Sequence, residues 1–470
     1  MFKKLKIENF KIWQDTGNIR MAPITLFFGT NSSGKSSIGQ FLMMLKQTVE
    51  SPDRKAVFYP GGKNSAVQLG SYKEMVFHRN PELKMSFEYQ WEVVDTLKIK
   101  DSLSGTNYSG DALTFNSQIG LDTKDQQSLL VDNFKYIITD KNNNVSMSIG
   151  MKRRPESKSE YKVESSKYVL KRKQGRGWSP GAPVRFYGFP DEVVAYHQNA
   201  DFVQELNLLH EKLFRSLFYL GPLRTRAERL YSWTGIEPES VGYSGENTVA
   251  AILAARNRRI SLGYKRPTKP FEEIIALKLK DMELIEDFKV NPISEQRQEY
   301  EVKIRTKGSK DWVDLPDVGI GVSQVLPVLV QCFYAPANSI IIMEQPEIHL
   351  HPSAQAALAD VMIDVISSRE DGKDRNIQLI IETHSEHFLR RLQRRIAENK
   401  VLQDNVSAYF ASVSKAPAKL ESLQIDEYGN IFNWPEHFFG DEMGDITGQA
   451  KAAMEKRIQM SKTKEDTLNE

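Results

Sequence analysis

The chain has 470 residues, enough to bury a large core and to divide into several sub-domains, and its 63 basic and 61 acidic side chains leave a formal charge of +2. That balance excludes polyanion binding by bulk electrostatics, so any nucleic-acid contact would need a local patch. A single cysteine, Cys332, excludes an intramolecular disulfide framework. With no apolar signal core after Met1 and no apolar stretch long enough to span a bilayer, a cytoplasmic location without membrane contact is expected.

Leu5, Ile7 and Phe10 predict strands that lead to a turn at Pro23, and Ile24-Thr25-Leu26-Phe27-Phe28 is a β-rich apolar run. Gly29-Thr30-Asn31-Ser32-Ser33-Gly34-Lys35-Ser36 follows, and then Ile38, Phe41, Leu42, Leu45 and Val49 fall on one helical face. A strand, a glycine-containing loop and a helix in succession make a phosphate loop. Gly29 and Gly34 allow close backbone approach. The amides of Thr30, Asn31, Ser32 and Ser33, with the start of the helix through Ser37, cradle triphosphate oxygens. Lys35 is expected to reach the β- and γ-phosphates of ATP, and the Ser36 hydroxyl to ligate Mg²⁺.

Residues 76–190 read as a β-rich insertion, with alternation at Lys84–Trp91 and Tyr136–Thr139 and a turn at Asn142–Asn144. Residues 191–310 read as a helical segment with connecting strands; Phe202, Leu206, Leu209, Leu213 and Leu217 recur at helical spacing, and Tyr300–Ile304 predicts a strand. Residues 311–411 alternate helix and strand and carry three further chemical elements. Ile340-Ile341-Ile342-Met343 is a buried strand ending at Glu344, a carboxylate able to hold the hydration shell of Mg²⁺. A second apolar strand, Gln378–Ile381, leads to His384, placed to sense the γ-phosphate or orient water. Gly319-Ile320-Gly321-Val322-Ser323-Gln324 opens an apolar helix and suits an anion. One ATP does not need two cradles, so this loop is expected to serve the nucleotide of a second subunit. Cys332, in Val330-Gln331-Cys332-Phe333, reads as a small buried hydrophobe. His349-x-His351 and His384-x-x-His387 have metal-like spacing, but no cysteine cluster supports zinc.

Taken in order, these elements resemble the ABC-type ATPases of the SMC, RecF and overcoming-lysogenization-defect (OLD) group. The likeness rests on Lys6-Ile7-Glu8-Asn9-Phe10-Lys11, Ile24–Asn31 and Glu344-Gln345-Pro346-Glu347-Ile348-His349-Leu350-His351-Pro352. It implies an α/β, two-lobed P-loop ATPase head with lobe I at 1–75, lobe II at 311–411 and a small C-terminal domain and tail at 412–470. It gives Glu344 the Walker B role, Gly321, Ser323 and Gln324 the signature-loop role, and His384 the switch-histidine role. Gln345 stands where the group usually has a catalytic glutamate. Glutamine orients water but takes no proton, so either Glu347 or another acid substitutes, or the subunit hydrolyses slowly and acts mainly as an ATP-dependent clamp. Gly221-Pro222-Leu223-Arg224 also resembles a recurring segment, which makes Arg224 a phosphate or interface candidate. Trp434, Phe438 and Phe439 lie in a segment resembling a short C-terminal domain of one bacterial subgroup.

The expected function is an ATP- and Mg²⁺-dependent ATPase. It would close as a head-to-tail homodimer, or in a larger homo-oligomer, and switch a separate effector, a nuclease or toxin, in anti-phage defence. Only residues 412–470 follow lobe II, so any cutting of nucleic acid is expected to fall to a separate subunit. The alternatives are a DNA-engaging repair ATPase, using Lys152-Arg153-Arg154 and Lys171-Arg172-Lys173 with Arg176, and an ATP sensor with little turnover.

Overall fold

The computed structural model describes residues 1–122, 128–155, 160–175, 179–294, 297–413, 417–435, 438, 444 and 447–457. Arg176, Phe439 and the tail beyond 457 lie outside them.

A six-stranded sheet organises the molecule. Its strands run Leu217–Leu220, Ile340–Glu344, Gln378–Glu382, Ile24–Gly29, Val406–Ser412 and Lys419–Leu423 across the sheet. The first five are mutually parallel, and Lys419–Leu423 adds an antiparallel edge. Side chains on a strand alternate between faces, and this sheet separates two cores accordingly. Ile24, Leu26, Phe28, Ile341, Met343, Leu379 and Ile381 face a layer of helices. Phe27, Ile340, Ile342, Ile380 and Tyr409 face the opposite way. Such continuous apolar strands are what a parallel sheet covered on both faces requires.

The helical layer contains Thr248–Ala254, Phe271–Asp281, Ile320–Tyr334, Pro352–Ser367 and Glu386–Ala397. Cys332 is fully buried there, and burial pushes its thiol up to about 12, so it packs rather than reacts. On the other face, helices Lys35–Glu50 and Phe202–Arg215 meet a large antiparallel sheet. Leu217 leaves the helical pattern of its predecessors and starts the edge strand of the nucleotide sheet.

The antiparallel sheet crosses the boundary expected between lobe I and the insertion. Phe2–Phe10 pairs along its length with Met85–Lys100, so the N-terminal strands and those through Tyr161–Ser166 form one sheet. The turn at 140–144 is closed by the Asp140 carboxylate, which accepts backbone N–H groups of Asn142 and Asn144, with Asn143 left-handed at φ 61°. The C-terminal segment is likewise joined to the nucleotide sheet, since Phe438 stacks on Phe410 and packs against Phe28. Trp434 sits edge-on to Phe438 with Arg390 over its ring. Among the described residues no helix is long and apolar enough to cross a membrane.

Candidate nucleotide site

The C-terminal ends of the parallel strands form the edge where open α/β sheets bind ligands. Ile24–Gly29 delivers the phosphate loop to that edge, and helix Lys35–Glu50 leaves it. Gly29 has φ 144°, and a Cβ there would lie 2.2 Å from the Ala411 carbonyl oxygen. Gly34 has φ 89°, and its Cβ would meet Ile12 at 2.6 Å. Both positions therefore demand glycine. Thr30, Asn31 and Ser32 are exposed, while Ser33 is buried with its hydroxyl unpartnered. The Lys35 ammonium donates to the carbonyls of Gly29 at 3.0 Å and Thr30 at 2.7 Å. Burial lowers its pKa, partly opposed by Glu382. Ser37 differs from its neighbours. Its hydroxyl donates to the Gly34 carbonyl at 2.5 Å and accepts from the Trp13 indole at 2.8 Å, which ties the helix start to the N-terminal hairpin and leaves it inward-facing.

Glu344 ends the strand two positions across the sheet from the phosphate loop, with Gln378–Glu382 between. It is buried and accepts from the Tyr219 hydroxyl at 2.8 Å. Burial, and then the charge of Glu382, pushes its carboxyl up to about 7, with Lys11 pulling the other way. Gln345 adopts a left-handed φ of 46°. Its N–H donates to the Glu382 carbonyl at 2.8 Å, and the Arg224 guanidinium donates to the carbonyls of Glu344 and Gln345. Arg224 is thus buried behind the turn that follows Glu344, with Nε and Nη1 unpartnered. Glu347 is buried, accepts the His384 N–H at 2.7 Å, and keeps Oε2 unpartnered. Burial raises its pKa, opposed by that hydrogen bond and by Arg224. The His384 ring is exposed, and its pKa is lowered by desolvation and by Lys35.

Two participants went unrecognised in the sequence. Tyr219 comes from an edge strand with no local signal. Glu382 ends Gln378-Leu379-Ile380-Ile381-Glu382, an apolar run closing in acid like Ile340–Glu344, and that repeated pattern was the available clue. Glu382 lies level with Glu344 across the ladder; burial raises its pKa, with the Ser36 hydroxyl and the Lys35 charge pulling the other way.

The Ser36 hydroxyl and the facing carboxylates of Glu344 and Glu382 are oxygen donors of the kind a hard divalent cation such as Mg²⁺ takes, while among the described residues no group of three or more His, Cys, Asp or Glu side chains is placed to hold a metal. The remaining candidates sit elsewhere. Gly321 and Ser323 lie in the first turn of helix Ile320–Tyr334, where Ser323 donates to the Ile320 carbonyl and Gln324 is buried. Among the described residues, none of these three is hydrogen-bonded to the phosphate loop. His351 caps the helix Pro352–Ser367 by accepting from Ser353. Of the basic residues considered for DNA, Arg153 is held by Asp132 at 2.7 Å and Lys173 donates to the Val194 carbonyl.

The chain matches three family models. Residues 132–390 match the family described as "AAA domain, putative AbiEii toxin, Type IV TA system", residues 1–175 match "AAA ATPase domain", and residues 402–449 match a protein of unknown function (DUF3696). No curated protein matches it. Similar solved structures include an SMC head bound to the C-terminal winged-helix domain of ScpA, at 12% identity and TM-score 0.43, covering 91% of this chain and 98% of that one. Another is the SMC head domain from Thermotoga maritima, at 10% identity and TM-score 0.38, covering 90% and 99%. A third is the Pyrococcus furiosus SMC head with an extended coiled coil, bound to the C-terminal domain of ScpA, at 9% identity and TM-score 0.42, covering 90% and 96%. Because that first model matches more than half of the chain, residues 132–390 with the acid-ended strand Ile340–Glu344 among them, the chain belongs to the family described as "AAA domain, putative AbiEii toxin, Type IV TA system".

Proposed function

We propose that the protein binds Mg²⁺·ATP between two copies arranged head to tail, and uses that closure to switch a separate effector. Lys35 would leave the Gly29 and Thr30 carbonyls for the β- and γ-phosphates, and Ser36 and Glu344 would hold the cation. The metal supplies charge neutralisation at the γ-phosphate. Gln345 can orient water but cannot accept its proton. Glu347, buried with one free oxygen, is the residue with the chemistry of a general base, so slow hydrolysis is expected. His384, whose backbone is fixed to Glu347, would face the γ-phosphate.

The observation that carries the dimer reading is the separation of the two cradles. The phosphate loop, Ser36 and Glu344 share one sheet edge, whereas at the helix start Ile320 is 58% exposed and Gly321 and Ser323 are half-buried, and among the described residues none of the three is hydrogen-bonded to that edge. A second copy would supply the missing cover. The toxin named in the family description supports an effector-switching role in anti-phage defence over a DNA-clamping one, because Arg153 is already paired.

Light scattering during size exclusion tests this. The wild type should double in mass with Mg²⁺·ATP and stay monomeric with ADP. Ser323→Arg should keep ATP binding and lose the doubling. A mass independent of nucleotide would end the dimer reading. Glu382 deepens the site further.

A further inference from the structure

Glu382 is buried, 8% exposed, at the end of a strand between the phosphate-loop strand and the Walker B strand. The parallel ladder sets it opposite Glu344. The Ser36 hydroxyl and the Lys35 charge both favour its ionised form against the cost of burial. Its Oε2 is buried with no hydrogen-bond partner. A buried acceptor without a partner is costly, and one kept beside a second carboxylate is suited to a ligand that compensates it. The Glu382 backbone also takes part, its carbonyl accepting the N–H of Gln345 and so fixing the left-handed turn after Glu344.

We propose that Glu382 is a positioning residue for the divalent cation. By accepting the Ser36 hydroxyl hydrogen it would turn a Ser36 lone pair toward the cation, and the free Oε2 would accept a hydrogen from the cation's hydration shell. No bond is broken, and the cation is held by charge on two neighbouring strands rather than one. Hydrogen-bonding partners of ligating groups orient those groups and raise their basicity. This rests on the Mg²⁺·ATP reading above and adds a second acidic strand to it. The competing role is purely structural: Glu382 would only anchor Ser36 at the helix start.

Glu382→Gln separates the two roles, because a glutamine carbonyl still accepts from Ser36 but carries no charge. The measurement is Mn²⁺ binding by electron paramagnetic resonance in the presence of ATP, alongside binding of a fluorescent ATP analogue in EDTA. Expected is unchanged analogue binding in EDTA, with Mn²⁺ affinity weakened about 10- to 100-fold. Unchanged Mn²⁺ affinity would overturn the proposal and leave ATP binding standing. Equal loss of the analogue in EDTA and of Mn²⁺ would also overturn it, since Glu382 would then be scaffold. If the wild type bound no ATP analogue under any condition, the Mg²⁺·ATP reading itself would fall, and this proposal with it.

Discussion

Two regions bury polar side chains, and they treat them in opposite ways. In the core between the antiparallel sheet and helix Phe202–Arg215, His210 is completely enclosed. Both its ring nitrogens lie 2.9 Å from hydroxyls, Nε2 from Tyr89 and Nδ1 from Tyr136. Tyr136 donates its only hydrogen to the Tyr187 carbonyl, so Nδ1 carries the imidazole proton and Nε2 accepts from Tyr89. The ring stacks on Tyr187 at 4.2 Å, and burial holds its pKa well below the usual histidine value. At the nucleotide edge, by contrast, Ser33 Oγ, Glu347 Oε2 and Glu382 Oε2 are buried with nothing to bond. A satisfied polar network specifies a packing. An unsatisfied one at a sheet edge is poised for a ligand.

The sharpest break of that contrast is at Glu347. Glu347→Gln keeps an acceptor for the His384 N–H but removes the proposed base. Steady-state ATP turnover should fall about 10²–10⁴-fold with nucleotide affinity retained. Unchanged turnover would return the base to another group. Gln345→Glu should move turnover the other way, upward.

The opposite pattern is expected at His210. His210→Ala opens a cavity and strands the Tyr89 hydroxyl, so a loss of about 3 kcal/mol in denaturant stability is expected. ATP affinity of the folded fraction should not change. A selective loss of ATP binding would dissolve the distinction between the regions.

Glu344 sharpens the comparison through pH. Its folded pKa of about 7 stands above the ordinary value of 4.5, so the folded state holds this proton more tightly than the unfolded. The stability it contributes is full below about 4.5 and is lost as pH rises through about 7. Glu344→Gln cannot titrate. In thermal melts without nucleotide, wild type relative to variant should decline by about 1–3 kcal/mol between acidic and mildly alkaline pH. Mg²⁺ needs the ionised carboxylate, so the wild-type affinity for Mg²⁺·ATP should rise over the same range. A parallel pH course in the two proteins would place the titration elsewhere.

Local pattern made much of this molecule legible. The strand Ile24–Gly29, the glycine loop, the helix Lys35–Glu50 and the acid-ended strand Ile340–Glu344 follow from spacing within a few residues, because alternation and helical recurrence are properties of adjacent positions. Cys332 was readable as a buried hydrophobe for the same reason. Ser37 was not distinguishable from Ser36 in the sequence. Only the Trp13 indole, brought across by the N-terminal hairpin, commits its hydroxyl to the interior.

The long-range pairings had no such trace. Nothing local tells Phe2–Phe10 to pair with Met85–Lys100, or Val406–Ser412 to lie beside the phosphate-loop strand. The sequence by itself determined that a phosphate loop and an acidic strand end exist. Tertiary structure decided that Glu382 stands level with Glu344, that Tyr219 bonds it, and that Arg224 is buried beneath the turn at Gln345. The reason is physical. Strand register is set by ladders between segments far apart in the chain and by cores on both faces of the sheet, and neither is written in the spacing of neighbouring residues.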